Sequence, residues 1–98
     1  MATSTEPRPA LFSTGQIVAT PGALRLLEQQ GIAPMLLVAR HVRGDWGSLD
    51  PDDAALNVEA VRLGSRILSS YSSGDGDRVW IITEWDRSVT TLLLPEEY

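Results

Sequence analysis

Residues 78–94 read RVWIITEWDRSVTTLLL, two β-prone runs held apart by a polar turn, and how they pair decides the fold. Valine, isoleucine, tryptophan and threonine suit a pleated, half-buried surface, and Pro95 ends the second run. A four-residue loop at Trp85–Ser88 pairs Glu84 with Val89 and Thr83 with Thr90. A two-residue Asp86–Arg87 turn gives the same register, but type I′ geometry forces a positive φ on arginine, so the longer loop is preferred. In that register one face carries Val79, Ile81, Thr83, Thr90, Leu92 and Leu94, and the other Trp80, Ile82, Glu84, Val89, Thr91 and Leu93. Both faces are largely apolar. The short helices of so small a domain cover only one, so the outer face is expected to take a partner, such as a second copy in a homodimer.

Working back from the hairpin, SRILSSY alternates, with Ile67, Ser69 and Tyr71 on one side and Arg66, Leu68 and Ser70 on the other. The polar SSGDGD connection joins it to the hairpin; its two acids around a glycine lack the rest of a calcium loop. These runs form an antiparallel meander. Ahead of it stand three helix patterns, each with a proline near its start and a glycine after its end. Thr20 caps PGALRLLEQQ, which stops at Gly31; PMLLVARHV starts at Pro34 and stops at Gly44. Asp50 caps the third, with Asp52 and Asp53 where the helix dipole favours negative charge and Gly64 as its stop. Ala54, Ala55, Val58 and Val61 or Arg62 follow at helical spacing.

A short β-like run, GQIVAT, precedes the helices, and whether it joins the sheet is left open. The expected order is β-α-α-α-β-β-β: an α+β domain over residues 14–98 with a three- or four-stranded antiparallel sheet and helices on one face. Residues 1–13, rich in Thr, Ser and Pro, are expected to be a flexible leader.

The composition excludes several chemistries. There is no cysteine and a single histidine, so disulfides, thiolate nucleophiles and Cys/His zinc sites are ruled out, and no metal or cofactor is expected. Thirteen acids against eight arginines, with no lysine, give a net charge of −5. An acidic chain without a basic run is a poor nucleic-acid binder. The N-terminus lacks a basic start followed by an apolar block, and the longest apolar run, Ile32–Ala39, is far below a bilayer-spanning length. A cytoplasmic location and no membrane partner are expected. Glycine fingerprints for nucleotides and the Gly-x-Ser-x-Gly elbow are absent.

Two polar clusters remain. ARHVRGDWGSLDPDD, residues 39–53, reads first as architecture, the end of one helix and the start of the next. That leaves His41, Arg43, Asp45 and Trp46 in search of a role. Cationic side chains favour a helix C-terminus, and a tryptophan between glycines anchors its loop or meets a partner. The second cluster, at the tip of the last hairpin, offers Asp86, Arg87 and Ser88 as binding residues.

From Gly15 to Tyr98 the chain resembles a family of small proteins carried by bacterial plasmids, integrative elements and prophages, commonly termed plasmid-related proteins. The resemblance lies in GQIVATPGAL, ARHVRGDWG, GSRILSSY and TEWDRSVTTLLLPEEY. A small residue stands in that pattern at the place of Trp85. Some members are described as type I restriction subunits, but 98 residues cannot hold a methyltransferase domain. The resemblance implies a mobile-element setting rather than a reaction.

Three functions follow as expectations. The leading one is a non-enzymatic module, accessory or anti-defence, that binds a host or element-encoded protein through the Arg43–Trp46 loop, the hairpin tip or the outer sheet face. The second is a metal-independent, toxin-like ribonuclease with His41 as acid or base, Arg87 on the scissile phosphate, and Glu84, Thr83 or Thr90 assisting. The third is a DNA-binding regulator with PMLLVARHV as recognition helix.

Overall fold

A computed structural model describes residues 9–73 and 76–98. Gly74 and Asp75 of the expected polar connection, and the first eight residues of the expected leader, lie outside them. The elements are β1 (Gln16–Ala19), α1 (Pro21–Gln30), α2 (Pro34–Val42), α3 (Pro51–Leu63), β2 (Ile67–Ser72), β3 (Arg78–Thr83), β4 (Val89–Leu93) and a 3-10 turn (Pro95–Glu97). The α+β order is the expected one. No helix among the described residues is long and apolar enough to cross a membrane.

The caps follow the local chemistry. The Thr20 hydroxyl accepts from Ala23 N at 3.1 Å, and Asp50 Oδ1 accepts from Asp53 N at 2.9 Å. The hairpin register is also the expected one: Thr83 faces Thr90 and Glu84 N donates to Val89 O at 3.1 Å. The four-residue loop does not spare arginine, however. Arg87 still takes φ 58°, and its guanidinium donates to the carbonyls of Ser65, Glu84 and Ala60. Those bonds tie the hairpin tip to the end of α3 and offset a backbone cost of about 1–3 kcal/mol.

The sheet order is β1-β4-β3-β2, and β1 joins it beside β4, with Ile17 opposite Thr90. That pairing is parallel, so the sheet is mixed rather than wholly antiparallel. The long crossover through three helices brings the chain back in the same direction, which a tight hairpin cannot do.

Ala23 and Leu27 of α1 and Leu37 and Val38 of α2 pack on Tyr71, Val79, Ile81 and Leu92 of the inner sheet face. The third helix departs from the expected layer. It lies along the edge of β2, burying Asn57 and Ala60; of the expected apolar stripe, Ala54 and Val61 pack against the second core cluster while Ala55 and Val58 are exposed. Asn57 is the cause: its Nδ2 donates to Leu68 O at 2.6 Å and its Oδ1 accepts from Leu68 N at 3.2 Å. One side chain thus satisfies edge groups of β2 that no strand pairs.

The leader expected over residues 1–13 folds onto the body from Leu11 onward. Leu11 N donates to Val42 O at 2.7 Å, and Phe12 packs in the second core cluster with Trp46, Ala60 and Ile67.

Candidate functional site

His41 sits on the inner face of α2, one turn after Leu37, and is fully buried. It stands in a line of hydroxyls drawn from three strands. Nδ1 lies 2.6 Å from Ser69 Oγ, Nε2 lies 2.9 Å from Thr83 Oγ1, and Thr83 Oγ1 lies 2.7 Å from Thr90 Oγ1. Thr90 Oγ1 donates to Thr14 O at 2.8 Å. A carbonyl can only accept, and each hydroxyl has one proton, so the directions follow. Thr90 gives its proton to Thr14, Thr83 gives its proton to Thr90, and His41 Nε2–H donates to Thr83. Nδ1 is then the bare nitrogen that accepts from Ser69. The histidine is neutral and held in one tautomer. Burial, with the Arg87 charge second, lowers its pKa to about 4.

Phe12 meets His41 edge-on at 5.1 Å and Trp46 in a stack at 6.4 Å, while Arg87 lies 5.6 Å over the Phe12 ring. A nuclease needs an acid or base that a phosphate can reach. Here the imidazole is sealed and both nitrogens are occupied. Arg87 is engaged by three carbonyls. Glu84 lies on the opposite sheet face from Thr83, paired with Arg66 at 3.6 Å. The three catalytic candidates do not converge on one open point.

The binding candidates separate in the same way. Asp45 accepts from Arg40 Nε at 2.7 Å and from Gly47 N at 3.2 Å, and Arg40 holds its carboxyl below the usual range. The Asp45 carbonyl accepts from Tyr71 Oη at 2.6 Å, and burial pushes the Tyr71 phenol up to about 12. Trp46 is buried and anchors the loop, whose backbone pairs with β2 through Ser70 N to Trp46 O and Ser48 N to Ser70 O. Gly47, at φ 77°, allows that approach, because a Cβ there would run into the Ser70 carbonyl. At the hairpin tip Asp86 accepts from Ser88 N and Oγ, a local turn bond. Of the six binding candidates, Arg43 and Asp45 line a shallow hollow with Arg40 and Gly44, and Arg43 also reaches the apolar groove beside β1.

The outer sheet face is less open than expected. Tyr98 meets Trp80 edge-on at 5.8 Å and accepts from Arg66 at 2.6 Å, leaving Ile82 and Leu93 at 4% and 7% exposure. Glu97 ties this segment down by accepting from the Thr20 hydroxyl and from Leu94 N, bonds that lower its pKa. The expected homodimer face is largely covered by the protein's own residues 95–98.

The uncovered surface lies at the other sheet edge. Gln16 N and Thr20 N donate toward β4, so strand alternation turns the N–H and C=O of Ile17 and Ala19 outward. Among the described residues nothing pairs with that edge. Beside it, between β1 and α2, runs a groove of about 380 Å³ with Phe12, Ile17, Met35, Val38 and Val42 among its walls. Met35 is 57% exposed and Ile17 37%. Among the described residues there is no group of three or more side chains able to hold a metal ion.

Sequence reasoning missed this place because GQIVAT looked like any short strand. Its signal lay in the lack of charge on an edge strand. Comparison with protein-family models, curated proteins and solved structures finds no match to this chain.

Proposed function

We propose that this protein is a non-catalytic interaction module that takes up an extended segment of another protein along β1, in the groove against α2. The observation that carries this reading is the contrast between the two sheet edges. The β2 edge is covered by Asn57 and by the 46–48 loop. The β1 edge carries no proline, charge or bulge that would blunt it, and it borders an apolar groove. The buried, singly tautomeric His41 speaks against the nuclease alternative. The expected DNA-recognition helix, α2, turns Leu37, Val38 and His41 into the core.

The setting we propose is a mobile genetic element. There the protein acts in an accessory or anti-defence role by binding a host or element-encoded protein, on the strength of the four sequence stretches set out above.

A photo-crosslinking residue placed at Met35 should capture a partner in cells, while the same residue at Leu56 on α3, which is more exposed still, should not. Capture from Leu56 with none from Met35 would move the interface elsewhere.

A further inference from the structure

Residues 95–98 cover the outer sheet face but leave a hollow beside Trp80. The period of two along the strands puts Arg66, Leu68, Trp80 and Ile82 on this face, with Leu68 directly opposite Ile82. Tyr98 closes one side, and these five residues line a half-enclosed slot of about 240 Å³ walled mostly by carbon. The Trp80 and Tyr98 rings meet at 66° across 5.8 Å, which gives the slot an aromatic corner. Its one charged group is already answered. The Arg66 guanidinium donates to Tyr98 Oη at 2.6 Å, lies 5.6 Å over the Tyr98 ring and stands 3.6 Å from Glu84. Tyr98 is 66% exposed and the turn before it buries no residue, so this wall can give without disturbing the core.

We propose that the slot binds a small, neutral aromatic molecule of two fused rings. It lies over β2 and β3, across the sheet from β1, and does not depend on the interaction reading above. An apolar cavity of about 150 Å³ holds benzene, so about 240 Å³ leaves room for a second ring. A flat guest in the corner stacks on Trp80 and meets Tyr98 edge-on, both arrangements that aromatic rings favour. A charged guest would shed its water and find no free counter-charge, because Tyr98 and Glu84 already hold Arg66. An aliphatic chain would lose rotamer freedom and have no ring to set against the corner.

The test is a titration of indole, as the probe, into isotope-labelled full-length protein followed by NMR. The side-chain N–H of Trp80 and the amides of Leu68 and Ile82 should shift saturably, with a dissociation constant on the order of 0.1 mM. The side-chain N–H groups of buried Trp46 and exposed Trp85 should stay where they are. Leu68→Trp fills the slot from β2, and Trp80→Leu removes the stacking ring while keeping the face apolar. Each should weaken indole binding about tenfold. Unchanged amide shifts of Tyr71 and Ile81 on the inner face would show that both variants are folded. Indole-3-acetate and tryptamine, which add a carboxylate and an ammonium group, should bind about tenfold more weakly than indole.

No saturable shift at Trp80 up to the solubility limit of indole would overturn the proposal. So would shifts centred on Trp85, or binding that Leu68→Trp and Trp80→Leu both leave unchanged. Binding of indole-3-acetate or tryptamine as tight as that of indole would overturn the neutral guest, by making Arg66 or Glu84 the recognising group.

Discussion

His41 shows how a residue with every outward mark of a catalyst becomes a structural one. Its neighbours supply one acceptor and one donor, and burial removes the alternative of water. Replacing it with alanine leaves the Ser69 and Thr83 hydroxyls short of partners and opens a cavity, at a cost of about 3 kcal/mol by chemical denaturation. Its titration has a definite sign. Unfolded, the imidazole titrates near 6.5, and folded near 4. Between those values the unfolded chain holds a proton that the folded chain lacks. The stability is thus fully present above the unfolded value and falls by about 3 kcal/mol as pH drops toward the folded one. Urea midpoints measured across that window should fall for the wild type and run nearly flat for His41→Gln. An equal slope in both would place the proton elsewhere.

At the scale of elements, α3 is held on the sheet by the Asn57 bonds together with a small apolar contact of Ala54, Ala60 and Val61. Only Asn57 and Ala60 are buried on it, while Leu56, Val58 and Leu63 stand exposed. Asn57→Ala removes two bonds and strands the Leu68 backbone groups, which should cost about 2–3 kcal/mol and speed exchange of the Leu68 amide. If the helix instead held by its apolar contacts alone, Leu68 exchange would be unchanged. Gly47→Ala acts on the other half of the same edge. It meets both a positive φ and the Ser70 carbonyl, so the 46–48 loop should lift from β2 and the amide of Ser48 lose its protection.

Across the whole molecule the last residues act as a strap over the outer face, pinned at Glu97 and resting on Trp80 through Tyr98. Combining Tyr98→Ala with Arg66→Ala should uncover Trp80 and Ile82, raise binding of a hydrophobic dye, and bring concentration-dependent association in light scattering. A double variant that stays monomeric and dye-free would show that the face needs no cover. Helix stops, caps and the hairpin register were legible in the sequence because they depend on residues a few positions apart. The fate of the outer face was not, since it turns on Tyr98 meeting Trp80 and Arg66 across the fold.

By itself, then, the sequence determined the order of elements, the helix boundaries at Thr20, Asp50, Gly31 and Gly64, and the pairing of Thr83 with Thr90. Each rests on local backbone chemistry or on a period of two. Tertiary structure alone decided that β1 lies parallel to β4, that Asn57 closes one sheet edge, and that Phe12 seals His41. It likewise left Ile17 and Ala19 at an edge with which no other described residue pairs. These outcomes depend on which distant groups meet, and a polar side chain's role is set by the partner it finds once water is gone.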